Sequence, residues 1–260
     1  MADDLTPSDK QTQIPTNLRL LMLLEEVVKA GVPVTPSVIK DVINLPKPTL
    51  HRLFNTAEAE GFLQRDIDGR SYSPGPRLRQ IAVQTISSQR VRALRLIILR
   101  SVAAEIGETC NIAMPDREGM TYLDRVETHW PLRIQLPVGT QVPFHCTASG
   151  KMFLSSLRPA YFSRYLESAA LEPHGPGTIT DRAALRDEIE MTRKRGYSTD
   201  NQEFMEDMAA VAVPIVDGQK RLMTTLSVHA PIQRHSLEGL IGHIDVLKSG
   251  AEKLAEQIRS

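Results

Sequence analysis

The spacing of apolar residues changes once along this chain, and that change limits the folds that the chain can adopt. Up to Gly107, apart from a short hairpin signal at residues 62–74, the apolar residues recur every three or four positions, the period of an α-helix with one buried face. Beyond Gly107, short runs that suit strands alternate with helical stretches, and Asp, Gly and Pro separate the strand-like runs. A chain of 260 residues with this division is expected to form two domains, a helical one followed by an α+β one.

Two short helices are predicted near the start of the chain. The first lies in TNLRLLMLLEEVVKAG, where Thr16 or Asn17 is expected to cap it and Gly31 to end it. The second lies in TPSVIKDVINL, with Thr35 as its cap and Pro36 at its first helical position. The buried stripe predicted for the first helix consists of Leu20, Leu21, Leu24, Val27 and Val28.

A third helix and a hairpin follow in LPKPTLHRLFNTAEAEGFL and FLQRDIDGRSYSP. The helix begins near Pro46, because an interior proline would remove a hydrogen bond and clash. Asp68 and Gly69 form a strong signal for a hairpin turn. Three short helices and a hairpin predict a winged helix-turn-helix over residues 17–75. The predicted buried stripe of the third helix consists of Leu50, Leu53, Phe54 and Ala57.

The exposed face of the third helix suits the major groove of DNA. Lys47 and Arg52 can pair with phosphates or guanine edges, and shorter hydrogen-bonding groups stand between them at Thr49, His51 and Asn55. On the wing, Arg65 or Arg70 is expected near phosphate. The formal net charge is +0, yet residues 40–100 hold eleven Lys and Arg against five Asp and Glu, a net of +6. Residues 101–260 hold seventeen Lys and Arg against twenty-one Asp and Glu, a net charge of −4. This difference indicates a basic module joined to a mildly acidic one.

A linker helix over residues 76–89 is predicted next, and its apolar stripe is expected to pair with a second copy of itself. The alternative is that the stripe packs on its own C-terminal domain. Residues 90–260 are then expected to form that domain, an antiparallel sheet with flanking helices. The strands are predicted in TCNIAM, GMTYLDRVE, LRIQL, MAAVAVPIV and RLMTTLSVHAP, and further helices in RVRALRLIILRSVAAEIGE, TASGKMFLSSL, RAALRDEIEMTRKRG and residues 236–258. The linker stripe consists of Leu78, Ile81, Ala82 and Ile86.

Composition excludes several other classes of protein. The start, MADDLTPSDK, lacks a secretory signal, and residues 1–16 are expected to be a flexible tail. The longest apolar run, Met208–Val216, is about half a membrane span, so we expect a cytoplasmic protein without a membrane partner. Cys110 and Cys146 are predicted to be free thiols, as in a reducing compartment.

The segment HCTASGKM contains residue types that occur in enzyme active sites. It does not match a phosphate-binding loop, because His145 stands where the first glycine belongs and Met152 where Ser or Thr should follow Lys151. His145 and Cys146 are residue types that can form a thiol nucleophile with its base, or a metal site. Neighbours on a strand, however, point to opposite faces, which argues against both. We therefore predict a buried structural cysteine, with no metal and no cofactor. The small residues favour a helix start, whose free N–H groups would suit an anion.

Three blocks together resemble the isocitrate-lyase-regulator (IclR) family of bacterial transcription factors. They are LPKPTLHRLFNTAEAEGFL, VGTQVPFHCTASGKMFLSSL, and YSTDNQEFMEDMAAVAVPIVDGQ followed by LSVHAP. The resemblance implies a winged helix-turn-helix, a linker helix and a GAF-like effector-binding domain. It also implies a homodimer or tetramer on operator DNA, more often a repressor than an activator, and no enzymatic activity. Pro48 departs from the family, whose recognition helices commonly carry a small polar residue there.

The same resemblance implies which residues meet the effector. Ala148 and Ser149 would meet it through the helix start, and His229 would be the cationic partner of a small carboxylate. Asp200 would accept from a ligand hydroxyl or orient His229, and alternatively it caps a turn before NQEF. Two rival functions remain open: an enzyme that uses His145, Cys146 or His229, and an architectural DNA-binding protein without an effector. The other implied contacts are Ala210 and Ser227, with an apolar wall, or plain core, of Ile134, Val142 and Met208.

Overall fold

The computed structural model describes residues 14–66, 68–86, 89–116, 118–131 and 133–259. The chain divides after Ile86 into two units, Met1–Ile86 and Ser87–Ser260, and each has a hydrophobic core of its own. The tail predicted at residues 1–16 lies outside the described residues as far as residue 13. None of the described helices combines the length and the apolar composition that a membrane span requires.

The described part of the first unit contains helices and one two-stranded hairpin. Their bounds are α1 (Arg19–Ala30), α2 (Pro36–Ile43), α3 (Lys47–Ala59), β1 (Leu63–Arg65), β2 (Tyr72–Pro74) and α4 (Pro76–Ile86). The two strands pair antiparallel, with Gln64 opposite Ser73, and Gly69 has a φ of 65° in the turn between them. Three helices, a hairpin and a further helix follow one another in the order that the sequence predicts.

The start of α1 differs from its prediction. The helix begins at Arg19, and its first turn has no side-chain cap. Thr16 and Asn17 lie instead within a turn that the Leu18 amide closes on the Pro15 carbonyl at 2.9 Å. The chain therefore enters this helix from a backbone turn, and the predicted cap at Thr16 or Asn17 is wrong.

The buried face of α1 is also rotated from the predicted one. Leu23 is fully buried, whereas Leu21 and Val28 are 60% and 47% exposed. Apolar side chains surround much of this helix, so their spacing alone does not show which of them face the core. The end of the helix is as predicted, because Gly31 takes a left-handed φ of 64° there.

Helix α3 follows its prediction at its start and in its buried face. It begins directly after Pro46, and Leu50, Phe54 and Ala57 are buried. The Phe54 ring packs on the Tyr72 ring of β2 with centroids 4.7 Å apart. This contact joins α3 to the hairpin, so the opposite face of α3 stays at the surface.

The second unit contains an antiparallel sheet, which has six strands within the described residues. Their order across the sheet is β5-β4-β3-β8-β7-β6. Each neighbouring pair is antiparallel. The bounds are β3 (Thr109–Pro115), β4 (Met120–Val126), β5 (Gln141–Val142), β6 (Ser198–Asn201), β7 (Met208–Val216) and β8 (Leu222–Pro231).

Helices cover both faces of this sheet. They are α5 (Gln89–Ile106), α6 (Ala148–Ser156), α7 (Pro159–Ser168), α8 (Arg182–Arg195), α9 (Leu237–Ile241) and α10 (Ile244–Arg259). On one face, Leu99 of α5 and Leu247 of α10 belong to the same core cluster as Leu226 of β8. On the other, Leu154 of α6 and Leu185 of α8 share a cluster with strand residues of β4 and β5. The predicted α+β class, with flanking helices on an antiparallel sheet, is confirmed.

The strand predicted in LRIQL is wrong, as far as the described residues show. Residues 133–137 form no strand, and Leu132 lies outside the described residues. The edge of β4 is occupied instead by the following segment, since the Tyr122 amide donates to the Thr140 carbonyl at 3.0 Å and Gly139 donates back at 2.8 Å. Residues 133–137 consequently form a wall segment without backbone pairing in the sheet.

Other differences concern elements that the sequence did not separate or predict. The final helix predicted over residues 236–258 is divided at Gly242 and His243 into α9 and α10. Strand β6 and helix α7 were not predicted. Helix α7 buries only Phe162 and Leu166, which are four positions apart, and two residues are too few to establish a helical period.

A buried ion pair joins α5 to the sheet, and its removal should destabilise the second unit. Asp124 of β4 is fully buried and accepts from Arg95 Nε at 2.7 Å and from Arg92 Nε at 3.0 Å. We expect Asp124→Ala to lower the free energy of unfolding by about 3–5 kcal/mol, because it leaves the buried Arg95 cation without its carboxylate. Arg92 is 50% exposed, so Arg92→Ala should cost less than about 1 kcal/mol. Urea denaturation followed by circular dichroism measures both, and equal small losses would contradict this role of Asp124.

Candidate functional sites

The first candidate site is the outer face of α3. Lys47, His51, Arg52 and Asn55 are exposed, and Thr49 is half-buried. The first turn of this helix contains no acidic side chain. The positive end of the helix dipole is therefore not neutralised by its own sequence, which favours an external anion such as a phosphate.

A groove lies between the start of α2, the outer face of α3 and the hairpin turn. Thr49 and Arg52 are not part of its lining. Thr35, which directly precedes α2, and four residues of α2 also line it. These four are Pro36, Ser37, Lys40 and Asp41, and Lys40 contributes to the basic balance of residues 40–100. Five of the seven predicted DNA contacts line this groove: Lys47, His51, Asn55, Arg65 and Arg70.

Arg65 and Arg70 have different surroundings on the hairpin. Arg65 donates to both carboxylate oxygens of Glu58 on α3, at 3.0 and 2.7 Å, and its guanidinium lies over the Tyr72 ring. The same pair lowers the pKa of Glu58. Arg70 is exposed in the turn, where its amide donates to Asp68 at 2.8 Å. Arg65 thus holds the wing against α3, whereas the side chain of Arg70 remains exposed.

The second candidate site is a cavity in the second unit, at the start of α6. It encloses about 30 Å³, which is room for one or two water molecules. Eight of the nine predicted effector residues line it: Ile134, Ala148, Ser149, Asp200, Met208, Ala210, Ser227 and His229.

The ninth residue, Val142, does not line the cavity. It is buried in the core cluster that contains Phe144 and Leu154, so its prediction as part of the pocket wall is wrong and the plain core alternative applies. The sequence analysis missed several lining residues, because they come from loops or from the far side of a strand. These are Tyr122, Leu136, Thr147, Phe204, Met205 and Ala209.

Helix α6 presents its first turn to this cavity. Thr147 is the N-cap, and its hydroxyl accepts from the Gly150 amide at 3.0 Å. The amides of Ala148 and Ser149 belong to the first turn, where no helical carbonyl can accept from them. Gly150 packs so closely on the Phe144 backbone that a Cβ would lie 2.3 Å from the Phe144 carbonyl oxygen, which excludes any larger residue. The helix start is therefore held rigidly, and its free donors lie at a small, mainly apolar cavity.

His229 is neutral, contrary to its predicted role as a cation. Burial and the nearby Arg125 guanidinium lower its pKa to about 3. Arg125 can only donate, so the Asn111 atom that it contacts at 2.9 Å is the carbonyl oxygen, and the Asn111 amide group faces His229 Nδ1 at 3.0 Å. Nδ1 then accepts from Asn111, which places the single ring proton on Nε2, and the longer 3.4 Å contact between Arg125 Nη1 and Nε2 is not a hydrogen bond, because both groups are donors. His229 is consequently a neutral hydrogen-bond donor at the cavity wall.

Arg125 is the buried cation that sequence reasoning missed. Its side chain is 4% exposed, and it pairs with Glu127 at 3.1 Å. It also donates to the carbonyl of Ile134 in the wall segment. Its contacts with Asn111 and Ile134 join β3, β4 and the wall segment, so Arg125 fixes both the proton of His229 and one side of the cavity.

Asp200 caps a turn, as the alternative from the sequence predicted. Its Oδ1 accepts from the amides of Glu203 and Phe204 at 2.8 and 3.3 Å. Burial and the Glu203 carboxylate nevertheless raise its pKa to about 7. Lys151 is buried and bonds to both Glu203 and Glu188, which excludes the phosphate-binding role already rejected from the sequence. Asp200 is thus a carboxyl group that titrates near neutrality at the cavity.

His145 and Cys146 lie in a bend and not on a strand, so the predicted division of their side chains between opposite strand faces is wrong. Burial raises the pKa of the Cys146 thiol to about 12, with Asp200 and Glu203 adding to the effect, and a thiol of this kind is a poor nucleophile. Cys146 and Cys110 are both buried free thiols, as predicted. His174 approaches the pair from another loop, and the ligand atoms of the three residues lie within 4.8 Å of one another.

Comparison with known proteins gives a consistent result. A family model described as "Bacterial transcriptional regulator IclR C-terminal" matches residues 83–257. The "Probable transcriptional regulator SauR" of Cupriavidus necator is 37% identical over 239 residues, which cover 92% of this chain and 95% of that protein. The "Transcriptional repressor IclR" of Escherichia coli is 27% identical over 224 residues, 85% and 82% of the two chains.

The fold is also that of solved structures. The crystal structure of an IclR homolog from Microbacterium hydrocarbonoxydans complexed with 4-hydroxybenzoate has a TM-score of 0.60 and 25% identity, over 92% of this chain and 99% of that one. The relatives are named as regulators and not as enzymes. The order of the elements, the matched domain and the relatives agree: the chain belongs to the IclR family of bacterial transcriptional regulators.

Proposed function

We propose that this regulator binds operator DNA through α3 and the hairpin and binds a small organic carboxylate in the cavity at the start of α6. It acts as a homodimer or tetramer, and the bound acid changes its affinity for the operator. Repression is the proposed sign of regulation, supported by the relative in Escherichia coli that is named a repressor. This function accounts for both candidate sites, whereas a purely architectural DNA-binding role leaves the cavity without a use.

The observation that carries the effector assignment is the start of α6 at the cavity wall. A carboxylate there would receive the Ala148 and Ser149 amides and the positive end of the helix dipole. His229 Nε2 and the Ser227 hydroxyl are further donors in the same lining. A homolog that is crystallised with 4-hydroxybenzoate, an aromatic carboxylate, supports this class of ligand.

The cavity must expand to admit such an acid, because 30 Å³ is far below the several hundred Å³ of a usual ligand pocket. Two parts of its wall lie outside the strands. One is the wall segment with Ile134 and Leu136, and the other is the turn with Phe204 and Met205 that Asp200 caps. Movement of these two parts is the conformational change that we assign to effector binding.

Assembly is assigned to the linker helix α4. Ile81 is 44% exposed and Ala82 is exposed, whereas Leu78 packs against the core of its own unit. One winged helix reads one half-site, so two copies at a fixed spacing are needed for useful specificity. The exposed part of the α4 stripe is the surface that we propose for pairing with a second copy.

A charge-removal test addresses the DNA interface. We expect the double variant Lys47→Ala, Arg52→Ala to bind a duplex selected from a random-sequence pool at least about tenfold more weakly than the wild type, with a shallower salt dependence. The control is Lys194→Ala, Lys220→Ala, which removes two exposed cations from the second unit. Fluorescence anisotropy from 50 to 200 mM salt measures both. Equal losses in the two double variants would refute the assignment of α3.

A pH titration addresses the cavity. The ligand is the acid that gives the largest thermal shift in a panel that includes 4-hydroxybenzoate. An ionised Asp200 repels a bound carboxylate, so the Kd should rise about tenfold per pH unit above pH 7 and be level below it. His229, with a pKa of about 3, should add no step near pH 6.5.

Two variants separate the pH effect from binding itself. Asp200→Asn cannot ionise, so its Kd should hardly change between pH 6 and 8.5. Ser227→Ala should keep the pH step but bind about tenfold to a hundredfold more weakly, through the loss of one hydrogen bond to the acid. Calorimetric titration gives all three curves, and an unchanged pH step in Asp200→Asn would place the acid elsewhere.

A further inference from the structure

We propose that His145, Cys146 and His174 form a binding site for a divalent transition-metal ion with an affinity for sulfur and nitrogen, such as Zn²⁺. Among the described residues these three bring one thiol and two imidazoles together. Two imidazoles and one thiolate are a ligand set that zinc takes in proteins, with a fourth position left for water or another ligand. His145 and Cys146 are buried, whereas His174 is exposed, so an ion can enter from the His174 side.

The distances are close to those of a tetrahedral site. The ligand atoms lie within 4.8 Å of one another. Metal bonds of about 2.0–2.3 Å separate the ligands of a tetrahedral ion by roughly 3.4–3.7 Å. The ligand atoms must therefore approach one another by about 1 Å, and rotation of the exposed His174 side chain can provide this movement. No rearrangement of the sheet or of α6 is needed.

The hydrogen bond of His145 prepares its ring for a metal ion. Nε2 lies 2.9 Å from the Glu172 carbonyl oxygen. A carbonyl can only accept, so Nε2 carries the proton and Nδ1 has the free lone pair of the neutral ring. Metal-bound histidines commonly donate their second ring N–H to a carbonyl or carboxylate in this way.

The surroundings of Cys146 favour a cation over a bare thiolate. The carboxylates of Asp200 and Glu203 act on the buried thiol as negative charges, and Lys151 acts on it as a positive one. One carboxylate oxygen of Glu203, Oε2, is buried and has no hydrogen-bond partner among the described residues. A divalent ion would reverse this balance: the thiol proton is released to solvent as the sulfur binds the ion.

The site also adjoins the cavity, and the consequence for regulation rests on the proposed function. Cys146 directly precedes Thr147, the cap of α6, and the His174 ring lies 5.8 Å from the ring of Phe204, which lines the cavity. A bound ion would tie the loop of His174 to the start of α6 next to this movable wall. It would therefore stiffen the turn that must shift when the acid enters.

Metal titration of the full-length protein without a histidine tag tests the site independently of DNA and effector. We expect about one Co²⁺ per chain, with a sulfur-to-cobalt charge-transfer band, competition by Zn²⁺, and release of about one proton. Cys146→Ser should remove the band, and His174→Ala should weaken binding by about tenfold to a hundredfold. Because His174 is exposed, its variant should fold as the wild type does, which circular dichroism checks.

Two control variants decide whether binding is specific. Cys110→Ala removes the other buried thiol, and His243→Ala removes one member of the His235–His243 pair, whose rings are 6.0 Å apart. Neither should change the Co²⁺ band or the affinity. Absence of the band in the wild type, or equal losses in His174→Ala and His243→Ala, would overturn the proposal. If the metal site is present but the acid binds elsewhere, only the regulatory consequence fails.

Discussion

The close packing of α6 on the backbone of Phe144 is the contact on which the second unit's site depends. Gly150 permits it, since any Cβ would meet the Phe144 carbonyl. The contact places two unbonded amides at the cavity and the bend of His145 and Cys146 beside it. Lys151, one residue further, ties the same helix to Glu203 in the turn that Asp200 caps. Helix start, cavity and cysteine are therefore positioned by a single approach of two backbones.

Charge near the cavity is arranged to leave it almost neutral. Arg125 is the nearest buried cation, but Glu127, Asn111 and the Ile134 carbonyl take up its donors. Burial, together with the charge of Arg125, keeps His229 uncharged, so the ring offers a proton without a positive charge. Recognition of an acid would then depend on oriented N–H and O–H groups more than on an ion pair, and such groups discriminate by geometry.

Local patterns predicted local structure well. The stripe of α3, its start after Pro46 and the Gly69 turn each depend on residues within a few positions of one another. The predictions that failed in the second unit depend on distant partners, whereas the cap and the buried face of α1 were wrong although they depend on nearby residues. The charge of His229 depends on Asn111 and Arg125, which are more than 100 positions away. Sequence order could not show that residues 139–142, and not LRIQL, would take the edge of β4.

The wall segment, residues 133–137, combines a place at the cavity with freedom from the sheet. Arg125 bonds to the Ile134 carbonyl, which any residue at position 134 would provide, and the Arg133 side chain pairs with Glu127 at 2.8 Å. Side chains and even chain length can therefore change there without disturbing strand pairing. Relatives could diverge in ligand preference by exchanging this short stretch alone, while the sheet and α6 stay constant. A change of ligand specificity would then need few mutations and would cost little folding stability.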